Sequence, residues 1–493
     1  MSFTKVKKER TRQDHVVRPD AVPVYLSLLR LQNIRCFGPS QVLDLTDGAG
    51  RPARWTVILG DNGVGKTTLL QCLAKSTVVP VLQAYSQQDA EAGEAPNSET
   101  RWRAALSADP EFQESLLRDR EFDLINHVTS TMEKGKLDQF FERVGRGELS
   151  GEEGSFVRFV WNYGATLTQR KKRQECSYST LFSRLINIEH RTSENALQNY
   201  VCYAYGATRR MSSTRMADPQ ETGAVSSLFS EDASLVNAEE WLLQADYAAL
   251  VDSPDRAYAE RRRDTVKDVL IELLPDVSDI RFSRPTGGKW SPRVEVQTPY
   301  NWVHLQSLSL GYRTLIAWVV DLAYRMFERH PGSENPLAEP AVVLVDEIDL
   351  HLHPKWQRSL VSYLTKRFPN TQFVVTAHSP LVVQAALEAN IVLLRREGDH
   401  VVIENETTAI RNWRVDQILT SDLFGLASAR PPRVERLLTK RTTLLSKSHL
   451  SRADQDRLRA LDAQIGDLPV GETPDDIEAM DIIREAAAAI RGP

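Results

Sequence analysis

The sequence is poor in cysteine and in long apolar runs. Its 493 residues include four cysteines, none of them paired with C-x-x-C spacing: Cys36, Cys72, Cys176 and Cys202. This pattern argues against a disulfide-stapled scaffold, a zinc ribbon and a redox pair, and it is typical of a reducing compartment. The longest apolar runs, such as residues 315–320, meet a charged residue well short of the roughly 18 residues that a membrane span requires.

An excess of charge of one sign is also lacking. The chain has 61 Lys and Arg against 66 Asp and Glu, which gives a formal net charge of −5 and no global argument for nucleic-acid or membrane binding. Residues 1–23 are basic but lack the apolar core of a secretory signal. We therefore expect a solvated tail on a cytoplasmic protein that has no membrane partner. The remaining composition is that of an ordinary globular chain, long enough for about three domains.

A glycine-rich segment lies between a predicted strand and a predicted helix. Residues 60–67 read GDNGVGKT and fit the pattern G-x-x-x-x-G-K-[ST]. In this pattern, glycines let backbone N–H groups surround a phosphate chain, the lysine reaches the β- and γ-phosphates, and the last hydroxyl ligates Mg²⁺. The segment therefore predicts a site for ATP and Mg²⁺. Its candidate nucleotide-binding residues are Asn62, Gly63, Gly65, Lys66, Thr67 and Thr68.

Two carboxylates follow a second apolar strand. Residues 341–345 (AVVLV) are typical of a strand covered on both faces of a parallel sheet, and Asp346 and Glu347 come directly after it. Acids at the C-terminal end of such a strand lie where ligands bind in open α/β sheets. We expect Asp346, together with Thr67, to hold Mg²⁺, and Glu347 to orient the attacking water.

A histidine ends the next predicted strand. Residues 374–380 read VVTAHSP, which places His378 at the same edge of the sheet as Lys66 and Glu347. From this edge the ring can donate a hydrogen bond to a γ-phosphate oxygen. A lone histidine is more often a structural residue, so this expectation depends on the neighbouring motifs. With them, His378 and Glu347 are the two catalytic candidates.

The order of these motifs resembles that of ABC-type ATPase heads. Residues 308–313 (LSLGYR) lie between the phosphate loop and the acidic pair and fit the signature form L-S-x-G-x-R. In that family the signature of one subunit closes over ATP held by the phosphate loop of another. The resemblance implies an α/β fold with a mixed, mainly parallel sheet. It also implies a homodimer whose heads enclose ATP between them, either alone or within a higher oligomer. In this dimer Ser309 and Gly311 of one chain act on the ATP bound by the other.

Further segments resemble RecF-type and overcoming-lysogenization-defect (OLD) type ATPases. Residues 31–37 (LQNIRCF) resemble L-x-N-F-R-x-F, and on this likeness Arg35 joins the nucleotide-binding candidates. Residues 346–354 (DEIDLHLHP) resemble D-E-P-E-x-x-L-H-P, and depart from it at Ile348, where proline is usual, and at Asp349. Residues 227–247 are similar to ATPases of bacterial anti-phage operons, including the ATPase subunits of Septu and PARIS systems and of some retrons.

These motifs divide the chain into four parts. We expect a basic tail at 1–23, a split ATPase domain at 24–80 and 200–400, a mainly helical insertion at 81–199, and a helical C-terminal domain at 401–493. Some OLD-type relatives carry a Toprim nuclease domain, but residues 400–493 show no D-x-D after an apolar strand, and no H-N-H pattern or zinc knuckle occurs. We therefore expect a separate nuclease effector of the HNH or Toprim type.

Two functions agree with this organisation. The first is an ATP-hydrolysing subunit of an anti-phage defence complex that senses infection and controls the nuclease. The alternative is a RecF-like ATPase of DNA repair or recombination, which predicts ATP-dependent DNA binding without a dedicated partner. Basic runs at 170–173 and 261–263 are candidate contacts with nucleic acid. A transporter subunit is disfavoured, since the signature departs from L-S-G-G-Q.

Overall fold

The computed structural model describes residues 23–38, 40–75, 123–124, 156–169, 172–185, 200–212, 223–283, 292–405, 413–426, 428–447 and 451–466. Most of the predicted basic tail, residues 81–122 of the predicted insertion and residues 467–493 of the predicted C-terminal domain lie outside these residues. The chain divides into two compact units, Met1–Val415 and Asp416–Pro493.

The described residues contain both strands and helices. The strands are β1 (Val24–Gln32), β2 (Gln41–Asp44), β3 (Trp55–Gly60), β4 (Asp123–Leu124), β5 (Phe156–Gln169), β6 (Lys172–Leu185), β7 (Cys202–Tyr205), β8 (Arg210–Met211), β9 (Ser234–Leu235), β10 (Asp279–Ser283), β11 (Arg293–Gln297), β12 (Trp302–His304), β13 (Ala341–Val345), β14 (Thr371–Thr376), β15 (Asn390–Glu397) and β16 (His400–Glu404). The helices are α1 (Lys66–Lys75), α2 (Ala238–Leu250), α3 (Arg256–Leu273), α4 (Leu310–Arg329), α5 (Pro354–Arg367), α6 (Pro380–Ala385), α7 (Val415–Leu419), α8 (Pro432–Leu445) and α9 (Arg452–Ile465).

A six-stranded, mainly parallel sheet forms the centre of the first unit. Its order is β16-β15-β3-β14-β13-β7, and β16 is its antiparallel strand. Val375 in β14 pairs with Val345 on one side and with Val57 on the other. Strands β3, β14 and β13 therefore end at one edge of the sheet. This topology confirms the predicted α/β fold with a mainly parallel sheet.

The apolar strands are buried as their composition predicts. Every residue of β13 and β14 is buried, and so is every residue of β7. Helix α1 packs against β3, β13 and β14. Because both faces of these strands exclude water, the polar residues at their C-terminal ends mark the ligand-accessible edge.

Strands also form the described part of the predicted insertion. The hairpin β5–β6 pairs with β1 through β6, with Leu29 opposite Thr180, and the full antiparallel order is β2-β1-β6-β5-β4. The described residues of the insertion, which the sequence predicts to be mainly helical, are therefore all in strands. Apart from β4, β5 and β6, the insertion lies outside the described residues.

The second unit is helical in its described residues. Helix α9 begins with a capping box formed by Ser451 and Asp454, and Arg441 of α8 forms an ion pair with Asp462 at 2.6 Å. The two units divide after Val415, and β16, which pairs with β15, belongs to the first unit. Among the described residues, no helix is long and apolar enough to cross a membrane.

Candidate active site

The glycine-rich segment forms a tight loop between β3 and α1. Gly65 has a φ of +90°, and a Cβ at this position would approach the Sγ of Cys36 to 2.5 Å. A side chain is therefore excluded there both by backbone conformation and by space. Asn62 and Gly63 are exposed at the tip of the loop, and the N-terminus of α1 opens towards it. This arrangement suits an anion bound by backbone N–H groups.

Lys66 is folded back over its own loop. Its Nζ donates to the carbonyl oxygens of Gly60 at 2.7 Å and Asp61 at 2.8 Å, and the residue is 7% exposed. Burial lowers the pKa of Lys66, and the nearby carboxylates of Asp346 and Glu347 oppose that effect in part. The ammonium group is thus held inside the loop by acceptors that a phosphate oxygen can replace.

The two halves of the predicted magnesium site meet directly. The hydroxyl of Thr67 donates to Oδ2 of Asp346 at 2.7 Å, and the hydroxyl of Thr376 donates to Oδ1 at 2.6 Å. Asp346 and Thr376 are neighbours because Val345 pairs with Val375 in the parallel register. Asp346 is 5% exposed, so its carboxylate orientation is fixed by these two hydroxyls.

These groups fit a Mg²⁺ ion that also binds phosphate. A hydroxyl and a carboxylate are the oxygen ligands that Mg²⁺ takes from a protein when phosphates and waters complete its shell. Within the described part of the chain, no group of three or more His, Cys, Asp or Glu residues forms a metal site by itself. Thr67 and Asp346 would therefore hold the ion jointly with the nucleotide.

Glu347 has an unusual main chain that is bound on both sides. Its φ is +48°, its N–H donates to the hydroxyl of Thr376 at 2.6 Å, and its carbonyl oxygen accepts from Nη2 of Arg209 at 2.7 Å. Arg209 is 2% exposed. Burial lowers the pKa of Arg209 to about 10, although the carboxylates of Asp346, Asp349 and Glu347 act in the opposite direction. The guanidinium is therefore charged at neutral pH.

His378 lies at the predicted edge of the sheet. Its side chain is exposed, and its backbone N–H donates to the carboxylate of Asp349 at 3.0 Å. Asp349 is nearly buried and belongs to the loop that follows Glu347. The loop after β13 and the loop after β14 are thus joined by a charge-assisted hydrogen bond.

Two other candidates bind each other. Nη1 of Arg35 donates to the hydroxyl of Thr68 at 2.9 Å and to Oε1 of Gln71 at 3.0 Å. Thr68 is buried on α1, so its hydroxyl faces Arg35. The structure therefore brings Arg35 to the phosphate-loop helix, with one part of its guanidinium occupied by α1.

The signature residues lie at the start of α4. Ser309 is the N-cap residue of this helix, but its exposed side chain forms no cap hydrogen bond within the described structure. A Cβ on Gly311 would collide with the carbonyl oxygen of His351, so this glycine packs on the loop that follows the acidic pair. Among the described residues, no hydrogen bond joins Ser309 or Gly311 to the phosphate loop of the same chain.

Sequence reasoning missed three residues of this site: Arg209, Asp349 and Thr376. One sequence signal could have pointed to Thr376: it directly follows the apolar residues of a strand, as Asp346 does. The last apolar residues of the two strands, Val375 and Val345, pair in the sheet. Arg209 lies in residues 206–210 (GATRR), a segment that matches none of the motifs described above. Nothing local in that segment distinguishes Arg209 from the exposed Arg210.

Two segments of the chain, one before and one after the predicted insertion, match known domain models. Residues 28–78, which contain Lys66 and Thr67, match a model described as an AAA domain. Residues 234–384, which contain Asp346, Glu347 and His378, match one described as "AAA domain, putative AbiEii toxin, Type IV TA system".

Particular relatives come from bacteria. The chain is 26% identical over 369 residues to the Retron Vc95 probable ATPase of Vibrio cholerae, covering 69% of this chain and 68% of that protein. It is 34% identical over 200 residues to the Retron Ec83 probable ATPase of Escherichia coli, covering 40% and 34%. It is 22% identical over 425 residues to the Septu protein PtuA of Bacillus mycoides, covering 85% and 47%. The chain thus spans about two thirds of the first relative and less than half of the other two.

Among solved structures, the chain is similar to the SMC head domain from Thermotoga maritima. The sequence identity is 13% and the TM-score 0.34, over 78% of this chain and 99% of that one. The sheet topology, and not this likeness, defines the fold.

Proposed function

We propose that this chain is an ABC-type ATPase that hydrolyses ATP with Mg²⁺. The observation that carries the proposal is the hydrogen bond between Thr67 and Asp346, which joins the phosphate loop to the acidic pair. A glycine turn that carried Lys-Thr by chance would have no reason to meet a buried carboxylate at the end of another strand of the same sheet. Both groups are ligands that the predicted metal requires.

Each side chain has a distinct part in this reaction. Backbone N–H groups of residues 60–67 and Nζ of Lys66 bind the phosphates, and the Glu347 carboxylate orients and polarises the attacking water. His378 donates a hydrogen bond to the γ-phosphate. Mg²⁺, when bound by Thr67 and Asp346, neutralises charge on the phosphate oxygens.

The signature is proposed to complete the site of a second copy of the chain. The exposed start of α4, where the hydroxyl of Ser309 caps no N–H among the described residues, is suited to an anion that arrives from outside. Leu310 beside it is 53% exposed, an apolar side chain that a facing head would cover. We therefore propose a homodimer with two ATP molecules between the heads, as the resemblance to ABC-type ATPases implies.

The biological role that we propose is anti-phage defence. Its support is the similarity to two retron ATPases and to a Septu protein PtuA, together with the resemblance of residues 227–247 to ATPases of anti-phage operons. In this role the chain senses infection, and ATP binding or hydrolysis controls a separate nuclease effector of the HNH or Toprim type.

Glu347→Gln and Lys66→Ala test the enzymatic proposal. We expect Glu347→Gln to bind ATP, to release phosphate at least about 100-fold more slowly, and to accumulate as an ATP-bound dimer. Lys66→Ala is expected to bind no ATP and to stay unassembled. Phosphate release, binding of a fluorescent ATP analogue and light-scattering mass measure these outcomes. Phosphate release by Glu347→Gln at the wild-type rate would falsify the catalytic assignment.

The defence role is tested in cells. Bacteria carrying the gene with its native flanking genes are challenged with a panel of phages, beside cells carrying Lys66→Ala or Glu347→Gln in the same context. We expect plating efficiency to fall for at least one phage with the wild-type gene and to recover with both variants. Equal plating on all three strains across the panel contradicts this role and leaves the ATPase proposal standing.

A further inference from the structure

Arg209 is a buried cation with one hydrogen-bond partner among the described residues. Its Nη2 donates to the main-chain oxygen of Glu347, while Nε and Nη1 are buried without a hydrogen bond to any part of the described structure. Such burial is unfavourable for a guanidinium unless negative charge lies close by. The carboxylates of Asp346, Glu347 and Asp349 supply that charge. Arg209 is therefore stabilised in its buried position by these three carboxylates.

Its partner, Glu347, is the residue that is proposed above to orient the attacking water. A φ of +48° at Glu347 lies in the left-handed region, which is unfavourable for any residue with a Cβ. This conformation determines in which direction the carboxylate leaves the main chain. It persists only if the surrounding contacts hold it.

Those contacts come from opposite sides of β13. Thr376, at the end of β14, accepts the N–H of Glu347 and also donates to Asp346. Arg209, in the segment after β7, binds the carbonyl oxygen of Glu347, which also accepts the N–H of Leu350 at 3.0 Å. Strands β14 and β7 are the two neighbours of β13, so the acidic pair is fixed from both flanks.

We propose that Arg209 is a positioning residue for hydrolysis, which fixes the main chain of Glu347 so that its carboxylate is directed at the attacking water. The proposal rests on the catalytic role of Glu347 proposed above. Arg209 touches no reacting atom itself. Nε and Nη1 of Arg209 bind no other described group. The hydrogen bond to Glu347 is therefore the one that holds the guanidinium among the described residues.

A positioning role and a packing role predict different kinetics. Removal of the hydrogen bond should lower kcat and leave KM for ATP nearly unchanged, since phosphate binding depends on residues 60–67 and not on Arg209. Loss of packing should instead lower activity in step with the folded fraction. Methionine and lysine are both similar in length to arginine, but only lysine can donate to the carbonyl oxygen of Glu347.

The experiment compares Arg209→Met and Arg209→Lys, with Arg210→Ala as the control at the exposed neighbouring arginine. We expect Arg209→Met to lose at least about tenfold in kcat with less than about twofold change in KM, measured at a temperature at which it is fully folded, and to melt lower than the wild type because the buried carboxylates of Asp346 and Asp349 lose a compensating charge. Arg209→Lys should retain more of kcat than Arg209→Met. Arg210→Ala should match the wild type.

Three results overturn the positioning role: a wild-type kcat in Arg209→Met, equal losses in both variants that follow a lower melting temperature, or failure of Arg209→Met to fold. Glu347→Gln is measured in parallel. If it hydrolyses ATP as fast as the wild type, the proposed function fails. If it is inactive while Arg209→Met keeps the wild-type kcat, the positioning role alone fails.

Discussion

The hydroxyl of Thr67 donates to the carboxylate of Asp346 at 2.7 Å, although 279 residues separate the two along the chain. The contact exists because β3 and β13 flank β14 in a parallel sheet and all three end at one edge. The contact joins two separate sequence motifs in one candidate site. Single substitutions can test the part that each side chain of this site plays.

Asp346→Asn should remove the metal ligand and leave the stability of the fold nearly unchanged. Asparagine can accept from Thr376 through Oδ1 and donate to Thr67 through Nδ2, so the hydrogen-bond pattern survives the substitution. We expect the free energy of unfolding to change by less than about 1 kcal/mol. Phosphate release should fall at least about 100-fold, since the charged ligand for Mg²⁺ is gone. A Mg²⁺ titration that coincides with that of the wild type refutes the assignment.

Gly65→Ala and Gly63→Ala form a matched pair in the phosphate loop. Both glycines have positive φ, at +90° and +79°, so an alanine at either position is strained by a similar amount. A Cβ at position 63 meets no described atom within 4 Å, whereas one at 65 meets Cys36 and the buried ring of Phe37. We expect Gly65→Ala to lose a further 1–3 kcal/mol, roughly, in urea unfolding of the nucleotide-free protein. Equal losses would show that the loop can move away from Phe37.

Lys66→Met should stabilise the nucleotide-free protein while abolishing ATP binding. Burial lowers the pKa of Lys66 in the folded state, so the unfolded chain binds more protons in the window between that lowered pKa and about 10.5. The cost of burying the ammonium is fully present below this window and fades as pH rises through it. The variant's gain in melting temperature should therefore be largest at neutral pH and shrink in alkaline buffer. A lower melting temperature at neutral pH contradicts this account.

The local parts of the site could be predicted from sequence, and the long-range parts could not. The loop around Lys66 and the strand before Asp346 are each recognisable from consecutive residues, and the structure has both elements where the sequence predicts them. The bond from Arg209 to Glu347 spans 138 residues and depends on β7 lying beside β13. The pairing of β6 with β1 is equally non-local, and alternation of residue types does not specify a strand's partner.

Ser309→Ala and Gly311→Ala should fail in different ways. The Ser309 side chain is exposed and caps no N–H in the described part of the chain, so its loss should leave the free energy of unfolding within about 0.5 kcal/mol of the wild type. Gly311→Ala would drive a methyl group into the main chain of His351 and should destabilise the protein. If the signature acts in trans, Ser309→Ala nevertheless loses ATPase activity. Urea unfolding and phosphate release, measured on both variants, distinguish these effects.

A mixture of Ser309→Ala and Lys66→Ala then decides between action in cis and in trans. Each variant alone should be nearly inactive, because every site of the Ser309→Ala homodimer lacks the signature hydroxyl and Lys66→Ala binds no ATP. In a mixed dimer, one site combines the intact Lys66 of one chain with the intact Ser309 of the other. Phosphate release should therefore reappear on mixing and increase with the fraction of mixed dimers. If the mixture stays as inactive as its components while mass measurements show that mixed dimers have formed, Ser309 acts within its own chain, and the head-to-tail arrangement is wrong.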